Sequence, residues 1–365
     1  MENSDHLYQI AFTQLHGIGP IRARRILKLL AHPRDFFQLN LSALQQTTSI
    51  PIVQLEKTDR SGALLRAQGQ LPYFEKDNFS YHFITDTTYP SQLKQCVDAP
   101  LGLFYRGSQI NWQKKRCIAV VGTRQQTPYG KELVANFISE LPKDILVVSG
   151  LAQGVDAEVH RQCLQHSIQT IGILGHGIDR IYPASNRKLA LDMLAAGGLL
   201  SEFLIGTKPD RMHFPMRNRI IAGLADAVVV IESNKNGGSL ITAELANDYN
   251  REVFAFPGPV QQLQSEGCHA LIQNQQAHLI PSAKDLLKVM NWTNTQQRHS
   301  LDDQHNLSSL QKEILNHFKT KNSWSIDELT QRTNYQVSQV SSALFELELT
   351  GALQNKGANR YFLPL

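Results

Sequence analysis

Along the middle of the chain, short uninterrupted apolar runs alternate with stretches of helical period. The runs are Ile118 to Val121, Ile145 to Ser149, Thr170 to Leu174, Gly198 to Ser201, Ala227 to Ile231 and Val253 to Phe256. A strand buried on both faces needs such an unbroken run, and strands alternating with helices predict a parallel α/β sheet. Phe83-Ile84-Thr85 and Leu101 to Gly107 read as two further strands leading into it, and Ser282 to Met290 as a closing helix. Residues 1–80 instead alternate short apolar helices with turns and hold no strand-like run. Residues 291–306 are polar with almost no apolar periodicity, which reads as a linker. Beyond them, Ser308 to Phe318, Ser325 to Thr333 and Gln336 to Thr350 read as three helices and Gly351 to Leu363 as a turn and strand, the pattern of a winged helix. The predicted organisation is a small helical domain over 1–80, an α/β domain over 81–290, a linker over 291–306 and a winged helix over 307–365.

An open α/β sheet binds its ligands outside the carboxyl ends of its strands, so the loops after the runs carry the candidate chemistry. They hold Gly122-Thr123-Arg124, Ser149 to Gly154 with Gly150, Gly175-His-Gly177-Ile-Asp179, and Asn236-Gly237-Gly238-Ser239. Glycine lets an anion come close to the backbone, and Ser239 and Thr242 add hydroxyl donors beside a helix start. The helix start that follows Arg124, with its free N–H groups and a guanidinium beside them, reads as a phosphate site. Arg187, Lys188, Arg217 and Arg219 supply further cations. Four glycine loops sharing one edge, with arginines among them, point to a polyanion. Asp156 and His160, one helical turn apart, read as helix-start capping and local packing rather than as an acid/base pair.

Composition narrows this further. The 365 residues suffice for two or three domains, and the formal charge of +4 permits nucleic-acid binding without demanding it. Cys96, Cys117, Cys163 and Cys268 are scattered and form no CxxC pair, so no metal site or disulfide framework is expected and a reducing, cytoplasmic setting fits best. The polar start Met-Glu-Asn-Ser-Asp-His is unlike a signal peptide, and no apolar run is long enough for a bilayer. No GxGxxG in dinucleotide context, no P-loop and no catalytic triad is visible. Leu15-His-Gly-Ile-Gly-Pro-Ile-Arg22-Ala-Arg24-Arg25 resembles a helix-hairpin-helix element. Its exposed amides and arginines read either as a docking point for a nucleic-acid phosphate or as a solvated basic face.

The order of several separate motifs resembles the DNA-processing protein A family, DprA or Smf. These are Ser149-Gly-Leu-Ala-Gln-Gly-Val-Asp156 with His160, Leu174-Gly-His-Gly-Ile-Asp179 running to Tyr182-Pro183 and Asn186, Ser201-Glu202, Phe214-Pro-Met-Arg-Asn-Arg-Ile-Ile-Ala-Gly223, Gly237-Gly-Ser-Leu-Ile-Thr-Ala243 and Val253-Phe-Ala-Phe-Pro-Gly258. The match runs from about Tyr89 to Ile280. The resemblance implies an extended Rossmann-like domain that binds single-stranded DNA, dimerises and helps load RecA, with an established role in natural transformation. A SAM-like helical domain ahead of it and a winged helix after it fit the same family. Carried over by matching positions, Arg124, Arg217 and Arg219 would contact phosphates, and Gly150, Gly154, Gly175, Gly177 and Ser239 would shape or line the groove. Asn218 lies between the two helix arginines. A basic position expected after the Tyr-Pro turn could be Arg187 or Lys188. Asp98-Ala-Pro100 departs from the usual Asp-Pro-Pro, which puts nothing functional in doubt.

Arginines and amides that track phosphates bind without reading sequence, and salt weakens them. A preference for single strands then needs an aromatic platform for unpaired bases. Tyr182 or Phe214 would be that platform, the alternative being that both are core residues beside prolines. No cofactor or catalysis is expected. One enzymatic alternative remains: Gly237 to Glu244 is also similar to the PGGxGTxxE loop of nucleotide phosphoribohydrolases, with Glu244 at the catalytic offset, although Leu240-Ile241 replaces that loop's Gly-Thr. Another is a module that senses a small nucleotide without chemistry. The last winged-helix helix presents Gln336, Ser338, Gln339 and Ser341 with Glu346 and Glu348 nearby and no cation, so a protein-contact or regulatory role is favoured over duplex binding.

Overall fold

A computed structural model describes residues 2–76, 79–112, 116–292, 307–318, 321, 323–349, 352–355 and 360–363. They fall into two compact units, 1–289 and 290–365. The larger is built on a nine-stranded sheet: β1 (Ser80–Phe83), β2 (Gly102–Gly107), β3 (Cys117–Val121), β4 (Leu146–Ser149), β5 (Thr170–Leu174), β6 (Gly197–Ser201), β7 (Ala227–Val230), β8 (Glu252–Ala255) and β9 (His278–Leu279). Its order is β1-β2-β6-β5-β4-β3-β7-β8-β9. From β6 to β9 every pairing is parallel, whereas β2 pairs antiparallel with both β1 and β6. The sheet is therefore parallel and extended at one edge by an antiparallel hairpin.

Every residue of β3 to β7 is buried, as their unbroken apolar runs require. The first strand ends at Phe83, not at Thr85, because Asp86 folds back: its Oδ2 accepts from Phe83 N at 2.7 Å. Strand order reverses at β3, since β4, β5 and β6 succeed it on one side and β7, β8 and β9 on the other. Such a switch point opens a crevice between the loops leaving its two central strands, here β3 and β7.

The helical segment ahead of β1, which opens with α1 (Glu2–Thr13), shares one continuous apolar core with the sheet, from Ile10 and Phe36 through to Leu271. Polar ties fasten the two together. Arg24, on α2 (Pro20–Leu27), donates from Nη2 to Lys94 O at 2.8 Å and from Nη1 to Cys96 O, the carbonyls that end α3 (Ser91–Gln95). Gln70 Oε1 accepts from Ile205 N at 2.7 Å. One of the hairpin arginines is thus an internal fastener. Residues 1–80 and the sheet fold as parts of one body.

The second unit holds α9 (Ser309–His317), α10 (Ile326–Thr333) and α11 (Val337–Leu349) with a three-stranded sheet of Ser323–Ser325, Gln354–Asn355 and Arg360–Phe362. Capping boxes at Ser308 and Ser325 start the first two helices. Leu310, Ile314, Trp324, Leu344 and Tyr361 are among the residues of its separate core. This is the expected winged helix, and Phe345 stands 57% exposed on α11. The expected linker falls mostly outside the described residues.

Candidate nucleic-acid interface

The loops after β3 and β7 face each other across a cleft of about 840 Å³ at the switch point. On one side lie Gly122, Thr123 and Arg124, leading to α4 (Pro128–Ser139). On the other, Asn234 to Ser239 lead into α8 (Gly238–Asp248). Between them, α7 (His213–Leu224) contributes Phe214, Arg217 and Asn218, and the loop after β5 reaches in with Tyr182.

At the rim, Arg124 is exposed and its Cζ stands 5.7 Å from the centre of the Phe214 ring. Phe214 in turn meets Tyr182 at 5.8 Å between centroids and 33° between planes, and Tyr182 is 50% exposed. Two aromatic faces and a guanidinium therefore adjoin at the edge of the cleft. Arg211 and Lys235, both exposed, line it as well and were missed from sequence, as was the acidic Glu266; Asp156, read from sequence only as a cap, lines it too. Lys235 lies just ahead of the Asn-Gly-Gly loop, so extending that loop by one residue would have found it.

The floor is different. Arg217 is buried, and its Nη1 donates to Gly150 O at 2.5 Å and to Ile173 O, so this guanidinium closes the ends of β4 and β5. Burial lowers its pKa to about 10, a cost that neighbouring Asp156 partly offsets. The expectation of a free phosphate contact at Arg217 is corrected on this ground. Arg219 is corrected too: it pairs with the Glu202 carboxylate and donates to Asp98 O, away from the cleft residues. Gly150 packs directly on the Arg217 guanidinium, where a Cβ would come within 2.6 Å, and Gly175 lies beneath the Phe214 ring. Gly154 has a φ of 79° and brings the start of α5 (Val155–Gln165) against Thr123 O, 2.4 Å from where a Cβ would be. Gly177 packs against the loop of Leu204 and Gly206. These four glycines shape the cleft without lining it.

Arg187 and Lys188 are exposed at the start of α6 (Arg187–Ala196), and Arg187 lines a separate hollow of about 400 Å³ with Arg106 and Arg180. Ser239 is buried and spends its hydroxyl on Ser233 Oγ at 2.8 Å, so what it can offer the cleft is backbone N–H. Asp156 accepts from Ala152 N at 3.3 Å, which caps the turn ahead of α5. His160, one turn on, bonds Thr170 Oγ1 through Nδ1 at 2.7 Å and makes no acid/base pair with it.

The start of α4 is not the open anion site that the sequence suggests. Glu232, at the end of the β7 run, puts its carboxylate there and accepts from Thr127 N at 3.0 Å. The start of α8 is open by comparison. It has no side-chain cap, and a Cβ on Gly238 would meet nothing within 4 Å. A helix start leaves its first N–H groups without intrahelical partners, so among the described residues of the cleft this is where backbone donors face the void.

A sheet wound to both sides of a switch point, with a cationic and aromatic cleft there and a winged helix in the same chain, defines a class of Rossmann-like α/β proteins. Within it, the chain belongs to the DNA recombination-mediator protein A family, whose pattern matches residues 80–291, and residues 300–357 match the DprA winged helix domain. It is 35% identical to Protein Smf of Synechocystis over 79% of this chain and 73% of that protein. It is 42% identical to the DNA processing protein DprA of Streptococcus pneumoniae over 58% of this chain and 75% of that one. The crystal structure of DprA from S. pneumoniae superimposes with a TM-score of 0.64 at 33% identity, covering 77% of this chain and 97% of that one. DNA processing protein A from Helicobacter pylori, whose structure was described for its single-stranded DNA binding mode, gives 0.53 at 27% identity over 59% and 96%.

Proposed function

We propose that this protein binds single-stranded DNA along the cleft without reading its sequence, protects incoming DNA, and helps load RecA for homologous recombination, chiefly in natural transformation. It acts in the cytoplasm as a homodimer through its α/β domain and performs no catalysis. The observation that carries the reading is the rim itself: Arg124 over Phe214 and Phe214 against Tyr182 set a phosphate contact beside a stacking platform. Unpaired bases can stack there, whereas bases in a duplex are already stacked on one another. The open start of α8, with Lys235 and Arg211, supplies further phosphate contacts. Binding by the H. pylori relative supports the same reading. The winged helix serves protein contact or regulation, its α11 offering no cation.

Hydrolysis through Glu244 has no support, because that carboxylate is exposed on α8 and is absent from the residues that line the cleft. The test is fluorescence anisotropy of a labelled single-stranded oligonucleotide and its duplex across a salt series. A preference for the single strand and a steep salt slope are expected. Equal affinity for duplex, unaffected by Arg124→Ala, would move binding out of the cleft.

A further inference from the structure

We propose that Glu232 is a positioning residue for Arg124. Its carboxylate fills the anion position at the start of α4 from inside the protein, and so holds the turn that presents Arg124 to the DNA. The inference rests on the reading of the cleft as a single-stranded DNA groove.

Glu232 is 1% exposed and grips the segment 123–127 at both ends. Its backbone oxygen accepts from Thr123 N at 2.7 Å. Its Oε2 accepts from Thr127 N at 3.0 Å, and its Oε1 accepts from Thr127 Oγ1. Thr127 Oγ1 accepts in turn from Gly130 N at 3.1 Å, completing the cap of α4. Arg124 sits between the two anchored residues, so its backbone can shift only if one of those anchors lets go. Room for the carboxylate depends on Gly130, where a Cβ would lie 2.2 Å from Oε2.

A negative group at a helix start is favourable, and the donors that hold one anion are not available to a second. A phosphate of the strand is therefore turned away from α4, and the start of α8 across the cleft is left to receive it. The start of α4, just beyond the lining residues Thr123 and Arg124, is already neutralised and serves as a frame, whereas the start of α8 lies in the lining itself.

Three variants test this. Glu232→Gln keeps the shape but removes the charge, Gly130→Ala pushes the carboxylate out without altering Glu232, and Glu232→Ala empties the site. The first two are expected to weaken single-strand binding about fivefold and to flatten the slope of log affinity against log salt by about 0.7, the signature of one phosphate no longer neutralised. Combined with Arg124→Ala, either should add almost nothing to the effect of Arg124→Ala alone, since both act on the same phosphate. Without DNA, sodium formate should raise the thermal midpoint of Glu232→Ala above its value in sodium chloride of equal ionic strength, and leave the wild type unchanged. Fully additive effects, or wild-type affinity and slope in Glu232→Gln, would overturn the positioning role. No difference between formate and chloride would overturn the anion site. A wild-type protein that fails to bind single strands would sink the reading of the cleft instead, while the formate measurement still decides what Glu232 occupies.

Discussion

The floor and the rim of the cleft each carry an arginine and put it to opposite uses. On the floor, Arg217 is locked between two strand-end carbonyls beside buried Asp156. At the rim, Arg124 stands in solvent over an aromatic face. A buried guanidinium costs desolvation, which for Arg217 two carbonyl bonds and nearby Asp156 offset in part, its Nε being left without a partner among the described residues, whereas an exposed one keeps its charge available to a ligand. Floor substitutions should therefore register as reduced stability and rim substitutions as reduced binding.

The largest effect expected is on the floor. Arg217→Ala leaves Gly150 O and Ile173 O without their donor and Asp156 buried without its cation, which should cost about 3–5 kcal/mol in chemical denaturation. A fall in DNA affinity with unchanged stability would break the comparison, because Arg217 would then be acting as a rim residue.

Behind the floor, His160 makes a pH prediction. Thr170 Oγ1 gives its proton to Val147 O at 3.0 Å, so the His160 Nδ1–H is the donor between them and Nε2 is left bare, buried and without a partner. A second proton would have no acceptor, and burial lowers the His160 pKa to about 3. As pH falls through 6.5 the unfolded chain takes up a proton that the folded one refuses until about 3. Stability should fall across that window by up to about 1.4 kcal/mol per pH unit from this group. Denaturation curves at pH 7 and pH 4 should show His160→Gln losing less on acidification than the wild type.

Much of this was legible in the sequence, and what was not has a common cause. Unbroken apolar runs located β3 to β8 to within a residue or so, because burial on both faces leaves no other pattern. The turn of Gly122 to Arg124 and the loop of Gly237 to Ser239, both picked out by their glycines, line the cleft. The fate of each charge was hidden. Arg217 and Arg219 are two residues apart on one helix, yet one meets strand ends and the other meets Glu202, partners far away in the chain. Nothing local marks Glu232 as the anion at the start of α4, since the donors it satisfies lie more than a hundred residues before it. Arg211 sits in a loop with neither a glycine motif nor a period of its own, and Lys235 one residue ahead of the glycine motif.

At the rim, Phe214→Ala removes both a stacking face and the support under Arg124. Anisotropy titration should show single-strand affinity weakened by about 1–3 kcal/mol, with the salt slope little changed because stacking releases few counterions. Phe214 is only partly buried, so the thermal midpoint should move far less than for a floor residue. A large midpoint shift with unchanged affinity would return this ring to the core.

Arg124→Ala is the smallest expected change in stability and the sharpest in kind. No hydrogen bond or ion pair holds its guanidinium among the described residues, so stability should stay within about 0.5 kcal/mol, as for ordinary surface positions. Affinity for a single strand should fall about tenfold at moderate salt, with the slope flatter by about 0.7 because one phosphate fewer is neutralised. Arg124→Lys should keep that slope, because the charge remains, but recover only part of the affinity, because an ammonium neither lies flat on the Phe214 ring nor grips a phosphate with two donors. A charge effect and a geometry effect are thereby separated at one position. If lysine restores affinity in full, Arg124 contributes only to the field of the cleft, and its approach to Phe214 is incidental to binding.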